Sequence, residues 1–157
     1  MATTTVEAKL TERGLTLPAS PAPIANYVRY TRTGNLVYLS GHGPNMVGGP
    51  VYAGKLGAEV TIEVGQAAAQ ATALNLLGTL KEAIGDLNRV VRIVKVLGMV
   101  NCTPDFPDQP LVINGFSDLI VDLFGERGRH ARSAVGMSSL PGRIPVEIEM
   151  IVEVEPE

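Results

Sequence analysis

"RVVRIVKVLGMVNC", residues 89–102, decides the fold of this chain. It is rich in β-branched residues, and both of its alternating faces are largely apolar: Val90, Val94, Val96 and Val100 on one, Val91, Ile93, Leu97 and Met99 on the other. A strand of that kind needs cover on both sides. The stretch before it, 63–84, spaces Ala69, Ala73, Leu77, Leu80 and Ile84 at steps of three or four and stops at Gly85, which predicts an amphipathic helix. Its alanines let it lie close to a sheet. After the strand, "TPDFPDQP" reads as a turn, and 111–124 as a second helix closed by Gly125.

Further out, Arg132 opens another strand, and "VEIEMIVEV", 146–154, alternates strictly, with Val146, Ile148, Met150, Val152 and Val154 facing one way. Towards the N-terminus, "YVRYTR" (27–32) and "NLVYLSG" (35–41) flank a turn at Thr33-Gly34-Asn35 and predict a hairpin. Residues 1–21 form a lead-in: a short helix over 5–13 ended by Gly14, then the start of a proline-set connector, "LPASPAPIANY". Residues 22–157 are the core, and the whole chain reads as one domain. The glycine-rich loop from His42 to Val60 lacks a sustained period and is long enough to be suspected of function.

The order of hairpin, helix, strand, helix and two strands makes an α+β sheet with two helices packed on one face. Two helices leave the other face of the 90–100 strand bare, so a symmetric oligomer that buries it is expected, with clefts between subunits.

Composition narrows the function. The chain has 157 residues, is 45% apolar and carries a formal charge of −3. Its cations are scattered without a run, which argues against nucleic acid as a partner. No stretch suits a membrane span, and the polar start "MATTTVEAKLTERG" is no secretory signal, so cytoplasm is the expected location. One cysteine, Cys102, and two distant histidines supply no close-spaced metal-ligand motif.

Several motifs fall short. "GPVYAGKL", 49–56, keeps the spacing of a phosphate-binding loop, but Leu56 stands where a Ser or Thr must hold magnesium, and Pro50 removes a backbone donor. "GHGPNMVG" is followed by Pro44 and no helix, against a dinucleotide loop. Ser40, His42 and His130 lack the nucleophile elbow of a hydrolase triad, and Ser40 reads better as a local hydrogen-bond partner at a strand end. Cys102 reads as a small core residue.

Arg132, within "GRHARSAVG" (128–136), is different, because a guanidinium cannot shed its proton on entering an apolar strand. It needs an anionic partner. That partner is either Glu147 or Glu149 in a structural ion pair, or the carboxylate of an acidic substrate held by the guanidinium fork.

With these residues the chain resembles the Rid family (RidA, formerly YjgF) of small enamine and imine deaminases. Ala131-Arg132-Ser133, Leu140-Pro141 and Val146-Glu147-Ile148-Glu149 carry the C-terminal signature. "ANYVRY" around Tyr27, "LVYLSG" ending at Ser40-Gly41, and "DFPDQPLVINGFSDL" with Phe106 and Asn114 keep the same order. The resemblance spans about 22–155 and implies a chorismate-mutase-like fold, a homotrimer and a substrate cleft at each subunit interface. It implies that Arg132 binds the substrate carboxylate and Glu147 orients water or shuttles a proton. Tyr27, Ser40, Asn114, Ser133, Ala134 and His130 would then line the site.

The implied reaction is hydrolysis of small 2-imino or enamine carboxylic acids to 2-keto acids and ammonia, without a metal or other cofactor. It requires a fixed carboxylate, a placed water and one acid/base group. Two departures stand out: Ala134 replaces a cysteine of well-studied deaminases, and Asn26 replaces a proline before the tyrosine. They leave room for an alternative, a module that binds a small carboxylate without turnover. Ribonuclease activity, a label some family members carry, fits poorly with the acidic balance.

Overall fold

The computed structural model describes residues 4–20 and 22–157. Residues 1–3, part of the lead-in, and Pro21, inside the connector, lie outside the described residues. The elements in order are α1 (Val6–Glu12), β1 (Tyr30–Thr33), β2 (Leu36–His42), α2 (Ile62–Ile84), β3 (Val90–Asn101), α3 (Gln109–Phe124), β4 (Ala131–Met137) and β5 (Val146–Val154). The strands form one mixed sheet in the order β1-β2-β5-β3-β4, with only β3 and β4 parallel. The long strand of residues 90–101 is paired on both edges, by β5 and β4.

Register sorts the side chains into two faces. Along β3 and β5, Val90 pairs with Val154, Ile93 with Val152, Val96 with Met150, Gly98 with Ile148 and Val100 with Val146. The large members of this set are buried under α2 and α3. Gly98 is part of the fit: a Cβ there would stand 2.7 Å from Ile113 Cδ1, so the missing side chain lets α3 settle onto the strand. The opposite face carries Tyr38, Leu97, Met99, Val135 and Ile151 in partial exposure, alongside Lys95, Ser133, Glu147 and Glu149.

The face assignment along β3 differs from simple alternation. Register shifts between Val90 and Arg92 and between Ile93 and Lys95 put Ile93, rather than Val94, on the buried side with Val90 and Val96. Each bulge adds a residue and reverses the facing of the residues beyond it. The hairpin is also shorter than its sequence suggests, since β1 begins at Tyr30 and residues 27–29 remain outside the strand.

The stripe Ala69, Ala73, Leu77, Leu80 and Ile84 is fully buried, as the spacing predicts. Yet Thr72, Leu74, Asn75, Leu76 and Thr79 are buried too. The reason is the connector, which crosses the back of α2: the Pro18 carbonyl fills the space a Cβ at Gly78 would need, and Ser20 Oγ lies 2.5 Å from Thr79 Oγ1. The helix thus has two covered sides. α1 adds Val6 and Leu10 to the same core, and Lys9 donates to the Asp122 and Leu123 carbonyls at the end of α3. The loop 43–60 holds no strand; Leu56 alone bridges to Val60 and Cys102.

Candidate functional site

β4 and β5 carry the two sequence-predicted catalytic residues, and the register places them on opposite faces of the sheet. Arg132 stands beside Val96, on the helix-covered face, whereas Glu147 stands beside Met99, on the open face. Neither expected ion pair forms: among the described residues no carboxylate lies within salt-bridge distance of Arg132. The internal-neutralisation reading is thereby overturned by strand geometry. Two half-sites result.

The first half-site is built on β4 and α3. Arg132 Nη1 donates to Ser117 Oγ at 3.0 Å, and Nη2 to the Pro110 carbonyl at 3.3 Å. Those two bonds engage two of five N–H donors and leave the fork able to receive an anion. Pro110, Asn114 and Ser117 lie four and three residues apart on α3, on one stripe, so Asn114 sits between the two groups that hold the guanidinium. Ala134, two residues along β4, shares Arg132's face and is partly buried against the core. His130 precedes the strand; its Nε2 is 2.9 Å from Ser117 Oγ and its Nδ1 2.7 Å from the Gly128 carbonyl. The ring meets Phe116 edge-on at 5.9 Å. Burial, chiefly, and the nearby Arg132 charge hold the His130 imidazole below its ordinary pKa, against an opposing pull from the Gly128 bond.

The second half-site is built on β2 and β5. A bulge between Leu39 and His42 opposite β5 brings Gly41 against Glu147: a Cβ on Gly41 would lie 2.7 Å from Glu147 Oε2. Tyr27, Ser40 and Gly41 line one cleft of about 220 Å³, together with residues 22–24 of the connector. Ser40 closes the strand end as its sequence position suggests, donating to the Val28 carbonyl at 2.6 Å. Glu147 is half-buried. Burial first, and the charge of Glu149 second, push its carboxyl above the ordinary carboxylate range, which suits a group that must both give and take a proton.

The remaining expected residues fall elsewhere. Ser133 lies on the open face, where its hydroxyl accepts from Lys95 Nζ at 3.2 Å, and so points away from Arg132. His42 faces α2: Nε2 is 2.8 Å from Thr79 Oγ1 and Nδ1 2.7 Å from the Ser40 carbonyl, and burial keeps it below its ordinary pKa. Lys55, of the phosphate-loop-like stretch, donates to Asn101 Oδ1 at 2.6 Å and to the Ser138 carbonyl. Cys102 is buried beside the Gln109 amide. Ser40, His42 and His130 form no triad, since each histidine has its own hydroxyl partner.

Ser117, which bonds both Arg132 and His130, is the member of this cluster that sequence reading misses. A serine in the middle of an amphipathic helix reads as a solvated position, and its signal is the stripe it shares with Pro110 and Asn114. Among the described residues no helix is long and apolar enough to cross a membrane.

Comparison with known proteins places this architecture. A curated relative, Protein TCP17 of Trypanosoma cruzi, is 46% identical over 149 residues, covering 94% of this chain and 93% of its own. A 2-iminobutanoate/2-iminopropanoate deaminase of Dermatophagoides farinae is 29% identical over 145 residues, covering 92% of this chain and 98% of its own. A crystal structure of a protein of unknown function from Agrobacterium tumefaciens superposes with a TM-score of 0.89 at 46% identity, covering 96% of this chain and 92% of that one. Residues 7–147 match the family described as "YjgF/chorismate_mutase-like, putative endoribonuclease". With that match over most of its length, on a five-stranded mixed sheet with helices on one face, the chain belongs to the YjgF/Rid family.

Proposed function

We propose that this protein is a hydrolytic deaminase of small 2-imino or enamine carboxylic acids, working as a homotrimer in which Arg132 of one copy faces Glu147 of the next. The observation that carries the reading is the split site: an arginine free of any carboxylate on one face of the sheet, and a carboxyl of raised pKa on the other. Within one chain the two cannot reach a common small molecule. Across an interface that covers the open face they can, and the apolar side chains of that face supply a reason to associate.

In this reading the substrate carboxylate takes the free N–H groups of Arg132, and the imine carbon projects towards Glu147. Glu147 is the acid/base group on that side, a carboxylate that accepts a proton which the added water brings to carbon. Small imines hydrolyse readily in water, so holding the reactants in place with one acid/base group is sufficient. The 29% identical deaminase supports the substrate class. A second reading, carboxylate binding without turnover, is favoured by Ala134, which places no functional group beside Arg132.

The two readings separate on incubation with enzymatically generated 2-aminoacrylate while ammonia and pyruvate are followed. A deaminase exceeds the buffer rate, and Arg132→Ala loses about 10³-fold in kcat/KM with the oligomer intact by light scattering. An intact variant with unchanged turnover overturns the assignment.

A further inference from the structure

The first half-site holds more than an anion anchor. The Gly128 carbonyl accepts only, so the proton on His130 sits at Nδ1 and Nε2 presents a lone pair. The Ser117 hydroxyl must then donate to Nε2, and its oxygen is left to accept from Arg132 Nη1. Every proton in the row Arg132, Ser117, His130, Gly128 has one place. A hydroxyl 3.0 Å from the anchoring guanidinium, with a neutral imidazole behind it at 2.9 Å, is arranged to take a proton from whatever Arg132 holds.

We propose that Ser117 and His130 form an acid/base relay on the Arg132 side of the cleft, Ser117 touching the reacting groups and His130 Nε2 storing the proton. The proposal rests on the deaminase reading and adds a second proton path beside Glu147. On an iminium substrate, the water oxygen bonds to carbon and the C=N π pair moves to nitrogen. A water proton passes to Ser117 Oγ as the Ser117 proton moves to His130 Nε2. The relay then reverses: the imidazolium proton returns through Ser117 to the amino nitrogen, the C–N bond breaks with its pair leaving on ammonia, and the hydroxyl of the carbinolamine gives its proton to Glu147 as C=O forms.

The surroundings set how the relay responds to ligand. α3 presents Ser117 and the Phe116 edge to the imidazole, the 125–128 turn presents the Gly128 carbonyl, and β4 presents Arg132. Arg129 and Glu126, nearby and exposed, are paired with each other at 2.9 Å. Arg132 is thus the charge that disfavours the imidazolium, and a carboxylate bound to it removes that penalty. Substrate binding therefore raises the proton affinity of His130, and by reciprocity protonated His130 holds the carboxylate more tightly.

The test uses the full chain, whose two histidines give a simple imidazole spectrum with His42 as an internal control. Side-chain NMR titrations with and without saturating pyruvate should show the His130 pKa rising and His42 unchanged, the rise disappearing in Arg132→Ala. With 2-aminoacrylate, His130→Gln and Ser117→Ala should each lose about 10²-fold in kcat with KM nearly constant, and His130→Gln should remove the limb of the pH–rate profile that matches the His130 titration. If pyruvate binds and His130 does not move, or if His130→Gln keeps wild-type kcat and pH profile, the relay is refuted while the deaminase reading stands. If wild type turns nothing over, the reaction is refuted and the pyruvate titration alone decides the coupling. If pyruvate fails to bind, the coupling is overturned, and turnover of 2-aminoacrylate alone decides the deaminase reading.

Discussion

Gly115→Ala tests whether the crossing of α2 and α3 is what holds the anchor. An alanine in mid-helix normally stabilises by about 1 kcal/mol over glycine. At Gly115, however, a Cβ would stand 2.8 Å from Gln66 C and Cα and closer still to the Gln66 carbonyl oxygen. Those atoms belong to the backbone of α2, and Gln66 Nε2 donates to the Leu111 carbonyl at 2.9 Å, stitching the two helices at this point. Nothing flexible can give way, so the helices must separate. Overpacking of this kind costs about 1–3 kcal/mol, more where backbone moves, and it outweighs the propensity gain.

The expected net loss for Gly115→Ala is about 2 kcal/mol, or roughly 4–8 °C in Tm for a chain of this size. Gly65→Ala is the control, with the same propensity gain but only side-chain methyls of Leu56 and Val112 at 3.0 Å, so it should stay within about 1 kcal/mol of wild type. Urea unfolding at fixed protein concentration reads both, through the midpoint at constant slope. Because α3 carries Pro110 and Ser117, the folded fraction of Gly115→Ala should also bind pyruvate less tightly. A Gly115→Ala protein as stable as wild type would refute the close crossing.

Gly41→Ala has the opposite profile. Its Cβ meets the movable end of Glu147, so stability should change little while the carboxyl swings aside and kcat falls by about 10²-fold, measured by ammonia release. Glu147→Gln should abolish turnover yet raise Tm at neutral pH. The folded chain holds the Glu147 proton more tightly than the unfolded one, so wild type loses stability as pH rises from the ordinary carboxylate pKa through the raised folded value. Glutamine never ionises; the Tm difference should therefore vanish at acid pH, and a constant difference at all pH values would contradict the burial of this carboxyl.

How far the sequence is legible depends on whether something marks each face. β5 can be assigned residue by residue because Glu147, Glu149 and Glu153 alternate with buried aliphatics. β3 shows only that it is a two-sided strand; its bulges are silent, since a shift in an all-apolar run leaves the pattern unchanged. The covered back of α2 is equally silent, because the connector that covers it lies far away in sequence.

The same limits apply to the site. Arg132 and Glu147 stand out as charges in apolar strands, and the family resemblance gathers Tyr27, Ser40 and Asn114 near them. Composition and spacing cannot show that two strands separated by β3 in register terms present these groups on opposite faces. Ser117 is found only when α3 is docked against β4.

That opposition has a genetic consequence. In the proposed assembly a chain lacking Arg132 still offers an intact Glu147 half-site, and a chain lacking Glu147 still offers an intact anchor. Two inactive alleles expressed together would then rebuild a working cleft wherever the Arg132 of one meets the Glu147 of the other, one in each mixed trimer, while either allele alone gives none. A wild-type subunit beside a defective one keeps the cleft to which the defective chain contributes its intact half, so a single defect mixed with wild type silences clefts in proportion to the damaged chains, however the subunits are arranged.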